Sequence, residues 1–286
     1  MSTFITGGAS QTGSVLASLL RASDHPVLFG SRSGNVPDGF DSVKFDWNDP
    51  STFEAAFSAP NHEIQNVYLI FVGIWDPLPI AQPFIDLAVK KGVKRFVLLS
   101  ASNPKTEKGP SSIGIGRVHT YLDDQGLDYV ALRATWFTEN LLKLYGPGIK
   151  KFNSIQTIVP TGQIPFVAVQ DIAQAAHDAI VNIDSLPSRE PTLIGPELVS
   201  YSEIAEILTT TLGRPITHSV ITQDELLKRY LAFGLPELHA TYLSKAEAEV
   251  ENGSEKRHLQ DPRALVGKVG VKEWIEKNKD AFSPAA

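Results

Sequence analysis

Hydrophobic and polar positions follow two alternating periods through the first half of the chain. Phe4-Ile5-Thr6 predicts a short apolar strand, and beyond the glycines that follow it Val15, Leu16, Leu19 and Leu20 recur at the spacing of one helical face. Pro26-Val27-Leu28-Phe29, Val43-Lys44-Phe45 and Val67-Tyr68-Leu69-Ile70-Phe71-Val72 predict three more strands, the last buried on both faces. Phe84 to Lys91 predicts a helix closed by Gly92, Arg95-Phe96-Val97-Leu98-Leu99 a fifth strand, Val118 to Gln125 a helix closed by Gly126, and Tyr129-Val130-Ala131-Leu132-Arg133 a sixth strand. Regular alternation of strand and helix is the signature of an α/β fold with a Rossmann-type, doubly wound parallel sheet.

From about Trp136 the pattern loosens, with Gly146-Pro147-Gly148, Pro160-Thr161-Gly162 and Pro165 marking turns between short segments. Ser200 to Glu203 and Thr222 to Glu225 have the spacing of capping boxes, each followed by an apolar stripe. The expected organisation is a dinucleotide-binding domain over residues 1–150 and a smaller substrate lobe over 151–286, some of whose strands return to the main sheet.

Composition narrows the functional classes. With 286 residues, 42% of them apolar and 20% charged, the chain can bury a full core and needs no disulfide framework. It has no cysteine, which removes thiol nucleophiles and thiolate metal sites and fits a cytoplasmic location. Met1 to Ile5 run straight into the first strand and glycine turn, leaving no room for a signal peptide, and the longest apolar run, Val67 to Trp75, read as a buried strand, falls far short of the ~20 residues that span a bilayer. No membrane partner is expected. A net charge of −6 with scattered Lys and Arg argues against nucleic acid. The histidines show no metal-type spacing, so no metal is expected.

The chemistry begins at Thr6-Gly7-Gly8-Ala9-Ser10-Gln11-Thr12-Gly13, between the first strand and the first helix. There a glycine-rich turn can bring backbone amides to a pyrophosphate without a Cβ clash, and the helix N-terminus favours the negative charge. Gly7, Gly8, Ser10, Gln11, Thr12 and Gly13 are the expected contacts, with Ser10 replacing the middle glycine of the usual pattern. An NAD-selective site would place Asp or Glu near the end of the second strand, whereas this chain has Gly30 followed by Ser31, Arg32 and Ser33, which suit the 2′-phosphate of NADP(H). Asp46 and Trp47 follow the third strand where an adenine would lie, Trp47 being equally suited to a core position. Val72 and Gly73, and Ser100 and Ala101, follow the fourth and fifth strands at the ligand-binding edge of such sheets.

These segments, with Phe45-Asp46-Trp47, Arg95 to Ser102, Leu132-Arg133-Ala134-Thr135-Trp136-Phe137, Glu139-Asn140 and Gly195-Pro196-Glu197-Leu198, resemble the NmrA-like atypical short-chain dehydrogenases. Within them the chain is similar, over nearly its whole length, to the fungal festuclavine synthase and agroclavine dehydrogenase group. The resemblance implies NADPH and a late reduction in an indole-alkaloid pathway, with hydride transferred to a cyclic iminium formed from an aldehyde and an amine. The chain departs from the group at Arg133-Ala134, where Arg-Pro is usual, and in a longer loop from Pro104 to Ser112, which leaves the substrate open.

Ordinary short-chain dehydrogenases protonate a carbonyl with the Tyr of a Tyr-x-x-x-Lys turn, a contribution of about 10² to 10⁴ in rate. Here the corresponding stretch, Ser111 to His119, has neither residue at the right spacing. An iminium is already cationic and needs no proton donor at the reacting carbon, so positioning in a dry pocket suffices. Trp136 and Phe137 are expected to wall that pocket and Asn140 or Ser102 to orient the ligand, while Ser102, His119 and Tyr121 are the candidate proton handlers; each has a packing role as its alternative. Two other functions stay open: a cyclase coupling NADP(H)-dependent reduction to ring closure of Diels-Alder type, and a non-catalytic NADP(H)-sensing regulator. The expected partner is a small indole-alkaloid substrate, and the protein a monomer or homodimer.

Overall fold

The computed structural model describes residues 1–103 and 113–283; the loop from Pro104 to Ser112 lies outside the described residues. The chain packs as two compact units, Met1–Arg133 with Ile172–Pro191, and Ala134–Asp171 with Thr192–Ala286. The division thus falls at Arg133 rather than at the expected 150, because the segment after the sixth strand makes its backbone bonds with residues of the second unit. Thr135 N donates to Leu193 O, and Val167 N to Trp136 O, both at 3.0 Å.

The first unit runs β1 (Ser2–Ile5), α1 (Gln11–Ala22), β2 (Val27–Ser31), β3 (Asp41–Lys44), α2 (Ala55–Ser58), β4 (Ile64–Leu69), α3 (Leu78–Lys90), β5 (Arg95–Ala101), α4 (Ile115–Asp124) and β6 (Tyr129–Ala134). Its strands lie in the order β3-β2-β1-β4-β5-β6. That is the Rossmann order, in which the direction of winding reverses between the first and fourth strands and ligands bind beyond their carboxyl ends. β1 pairs in parallel with both β2 and β4, setting the switch point between Ile5 and the end of β4.

The sheet's core explains several local choices. Phe45 meets Phe4, Trp47, Phe53 and Phe84 with ring centroids 4.9 to 5.3 Å apart. Gly30 makes room for this cluster, since a Cβ there would lie 2.6 Å from Phe4 Cζ and 2.9 Å from Phe45 Cβ. Gly92 and Gly126 follow α3 and α4 with φ of 92° and 62°, the left-handed conformation that ends a helix and favours glycine. Two expectations are corrected. β4 stops at Leu69, so the Val67–Val72 run is not buried throughout, and Val72 is 77% exposed. α3 begins at Leu78 rather than Phe84, because prolines are tolerated in a first helical turn, although Pro83 removes one later donor.

The second unit contains α5 (Asn140–Lys143), α6 (Gly146–Phe152), β7 (Ser154–Thr157), β8 (Gln163–Ile164), the start of α7 (Val169–Val181), β9 (Thr192–Ile194), β10 (Val199–Ser200), α8 (Tyr201–Leu212), β11 (Thr217–Val220), α9 (Gln223–Ala232), α10 (Glu237–Glu249), β12 (Ala264–Val266) and α11 (Val271–Lys277). Within it β8 pairs with β10, β7 with β11 and β9 with β12. Both expected capping boxes form, Ser200 with Glu203 at α8 and Thr222 with Glu225 at α9. Tyr201, Phe166, Ile204, Leu208, Ile275 and Phe282 anchor its core. Among the described residues no helix is long and apolar enough to cross a membrane.

Candidate dinucleotide site

The floor of the site is a bond between the two strands that flank the switch point. Thr6 Oγ1 accepts from Ile70 N at 2.9 Å and donates to Tyr68 O at 3.1 Å, tying the end of β1 to the end of β4. Thr6 was not among the expected contacts; its place one residue before the glycines is the signal that could have found it.

The glycine turn is packed closely on the first unit's own backbone. Gly8 N donates to Gly30 O at 3.0 Å, and a Cβ on Gly8 would lie 2.8 Å from Asn35 O and 2.9 Å from Ser31 Oγ. A Cβ on Gly13 would lie 2.5 Å from Ser10 Oγ and 2.9 Å from Ile5 Cγ2. Ser10 is the N-cap of α1: its hydroxyl accepts from Gly13 N at 3.2 Å. Its oxygen thus serves the helix end while its proton stays free to reach a phosphate. Thr12 is buried, so only its amide can serve a ligand. With the amides of Gln11 and Thr12 in the first helical turn, where intrahelical acceptors are lacking, the turn fits an anion.

At the end of β2 the three expected contacts separate. Ser31 is buried and donates to Asn35 O at 3.1 Å, closing the 31–35 loop instead of offering its proton to a phosphate. Arg32 and Ser33 are exposed, and Arg32 makes no hydrogen bond or ion pair among the described residues. Asp46 remains partly exposed, with Oδ1 accepting from Asn48 N at 3.0 Å. Trp47 is a core residue: it is buried, sits 4.6 Å from Phe71 between ring centroids, and donates from Nε1 to Ile70 O. The adenine-facing role for Trp47 is thereby withdrawn.

Val72 and Gly73 are exposed beyond β4, and a Cβ on Gly73 would meet nothing within 4 Å. At the end of β5 the buried Ser100 hydroxyl has no partner among the described residues, an orphan polar atom at the edge where a nicotinamide amide or ribose would supply one. Ala101 beside it is exposed. Ser102 is buried, and its carbonyl accepts from Arg133 at 3.0 Å, so Arg133 on β6 fixes the end of β5. These features fit a dinucleotide whose pyrophosphate meets the turn, whose adenosine end meets Arg32, Ser33 and Asp46, and whose nicotinamide end meets Ser100.

Two of the three candidate proton handlers, His119 and Tyr121, lie elsewhere. His119 is buried, with Nε2 2.8 Å from Glu190 Oε1 and 3.2 Å from the Tyr129 hydroxyl. Tyr129 opens β6, so this cluster sits at the amino end of a strand, opposite the ligand edge. The bond to His119 holds the Glu190 carboxyl down to about 2. Tyr121 donates to Asp86 on α3, and burial together with that carboxylate pushes its hydroxyl up to about 12. Helical facing decides both: α4 turns His119 and Tyr121 onto neighbouring secondary structure, correcting their candidacy as acids.

In the second unit, Trp136 packs against the core and Phe137 bridges to Val167. Both are partly buried, and Asn140 opens α5 with partial exposure. Glu139 anchors this stretch. Its carboxylate accepts from Val169 N at 3.0 Å and from Trp274 Nε1 at 3.0 Å, and burial raises its pKa. Sequence reasoning noted Glu139 without giving it this role, since both partners are distant in the chain.

Comparison with known proteins gives the family and the class of cofactor. The family described as NAD(P)H-binding matches residues 7–182. The chain is 41% identical over 265 residues to festuclavine synthase II of Penicillium roqueforti, covering 90% of each protein. It is 35% identical over 290 residues to agroclavine dehydrogenase of Claviceps fusiformis, covering 99% of each. Among solved structures, triphenylmethane reductase of Citrobacter sp. complexed with NADP(H) superposes with a TM-score of 0.71 over 97% of this chain and 99% of that one; at 18% identity the likeness is one of fold.

Proposed function

Because the chain belongs to the NAD(P)H-binding family and, within it, to the festuclavine synthase and agroclavine dehydrogenase group, we propose that it is an NADPH-dependent reductase of the cyclic imine or iminium formed from a parent aldehyde and an amine in the formation of an indole alkaloid. The hydride is the chemistry that the bound dinucleotide supplies. The rest falls to the protein: the glycine turn and α1 bind the pyrophosphate, Arg32 favours the phosphorylated ribose, and Ser100 orients the nicotinamide end. Trp136, Phe137 and Asn140 are the residues of the second unit that we propose contact the substrate.

The observation that carries the iminium reading is the engagement of Tyr121 with Asp86 and of His119 with Glu190. Neither side chain is placed to protonate an alkoxide, and a cationic iminium needs no such proton to become a neutral amine.

The test compares products from an indole-alkaloid aldehyde-amine mixture with NADPH, with NADP+ and without nucleotide. We expect one NADPH oxidised for each cyclic amine formed, seen by absorbance and mass spectrometry, and no turnover of an aldehyde that cannot form an imine. Alcohol from the free aldehyde, a new carbon–carbon bond made without NADPH oxidation, or nucleotide binding with no turnover would each overturn the reading, in favour of a carbonyl reductase, a cyclase or a sensor.

A further inference from the structure

Selectivity for the phosphorylated dinucleotide rests so far on Arg32 alone, and the strand register brings a second cation to the same place. Ser31, the residue before Arg32, is the Cα partner of Lys44 in the parallel β2–β3 pair, and Phe45 N donates to Ser31 O at 3.1 Å. The chain therefore leaves both strands at the same edge, the carboxyl edge where ligands bind. Adjacent strands lie about 4.8 Å apart, well within the span of Arg and Lys side chains.

The pleat decides which way Lys44 points. Phe45 and Val43 pack into the aromatic cluster, and the open position at Gly30 faces that same cluster. Side chains alternate across a strand, so Lys44 and its partner Ser31 share the opposite face. The Lys44 side chain is exposed and, like that of Arg32, makes no hydrogen bond or ion pair among the described residues. The nearby Asp49 carboxylate is already engaged by Ser51 N at 3.2 Å and Ser51 Oγ at 2.6 Å, with Lys44 only a lesser influence on its charge. In a chain of net charge −6, Lys44 at the end of β3 and Arg32 just beyond the end of β2 thus come to the same ligand edge, neither with an ion-pair partner among the described residues.

We infer that Lys44 is a second specificity-determining residue, sharing the ribose 2′-phosphate with Arg32. A guanidinium can grip two oxygens of a phosphate as a fork, and an ammonium on the neighbouring strand meets the third as a compact charge. The inference rests on the reading of the site as one for NADPH. Its rival is an edge-strand lysine that only discourages pairing with another sheet, since β3 is the last strand on that side of the first unit.

Calorimetric titration of the full chain with NADPH, NADH, 2′,5′-ADP and 5′-AMP separates the two. For Lys44→Gln the NADPH and 2′,5′-ADP dissociation constants are expected to rise about tenfold and the NADH and 5′-AMP constants to stay within about twofold. Lys44→Arg should restore most of the loss, and the salt dependence of NADPH binding should flatten in Lys44→Gln. Unchanged NADPH affinity in Lys44→Gln, with Arg32→Ala still weakening it, would overturn the role of Lys44 alone. Equal losses for NADPH and NADH would overturn it in favour of a structural role. A wild-type protein with no preference for NADPH over NADH would overturn the underlying cofactor reading together with this one.

Discussion

Trp47 Nε1 donates to the carbonyl of Ile70 at 3.2 Å, linking the segment after β3 to the segment after β4 from inside the core. The same Ile70 gives its amide to Thr6 Oγ1, so one residue joins the indole to the floor of the dinucleotide site. A side chain whose position suggested adenine is instead part of the frame beneath the nucleotide.

Trp47→Phe keeps an aromatic ring in the cluster while removing the donor to Ile70. Stability measured by urea unfolding should fall by about 1 to 3 kcal/mol, the cost of a buried carbonyl losing a partner and of a smaller ring. NADPH affinity should change by no more than about threefold. The opposite pattern, weak NADPH binding with stability intact, would restore the adenine-stacking role.

Gly8→Ala tests the closeness of the turn. The new methyl would press on Asn35 O and Ser31 Oγ, the two atoms whose bond closes the Arg32 loop. Overpacking of this kind costs about 1 to 3 kcal/mol, so NADPH affinity should drop roughly tenfold or more while the far-ultraviolet circular dichroism stays that of the wild type. Wild-type affinity would mean that the turn does not need its glycine.

His119→Gln should leave turnover within about threefold of wild type, because the imidazole bonds Glu190 at the amino end of β6. A fall of about a hundredfold with unchanged stability would make His119 a proton handler after all. Glu190 adds a pH dependence. Its carboxyl is held at about 2, below its ordinary value, so its stabilising contribution is complete above the unfolded pKa near 4.5 and is lost as pH falls toward 2. Between pH 5 and 3 the wild type should therefore lose more melting temperature than Glu190→Gln.

Glu247 on α10 has the opposite sign. It is fully buried and accepts from the Tyr230 hydroxyl at 2.8 Å through Oε2. Burial raises its carboxyl to about 6. No penalty is present below the unfolded value near 4.5, and one of about 2 kcal/mol develops as pH rises through 6. Glu247→Gln should accordingly gain on the wild type in unfolding free energy between pH 4.5 and 7.5. An equal pH dependence for both proteins would show that the carboxylate is compensated.

The order of strands and helices, the glycine turn, both capping boxes and the chemical character of Arg32 were legible in the chain, because each depends on a local period, a local φ preference or a local hydrogen bond. The engagements of Trp47, Ser10, Ser31, His119 and Tyr121 were not legible for a common reason: each side chain has a partner that only folding can bring near. Ile70, Asp86 and Glu190 are 23, 35 and 71 residues away from the groups they engage. Even Ser31 and Ser10, whose partners are four and three residues off, depended on the exact path of a turn. Register is likewise a tertiary decision. The amino-acid order places Lys44 thirteen positions from Ser31, and the hydrogen bonds of a parallel pair make them neighbours.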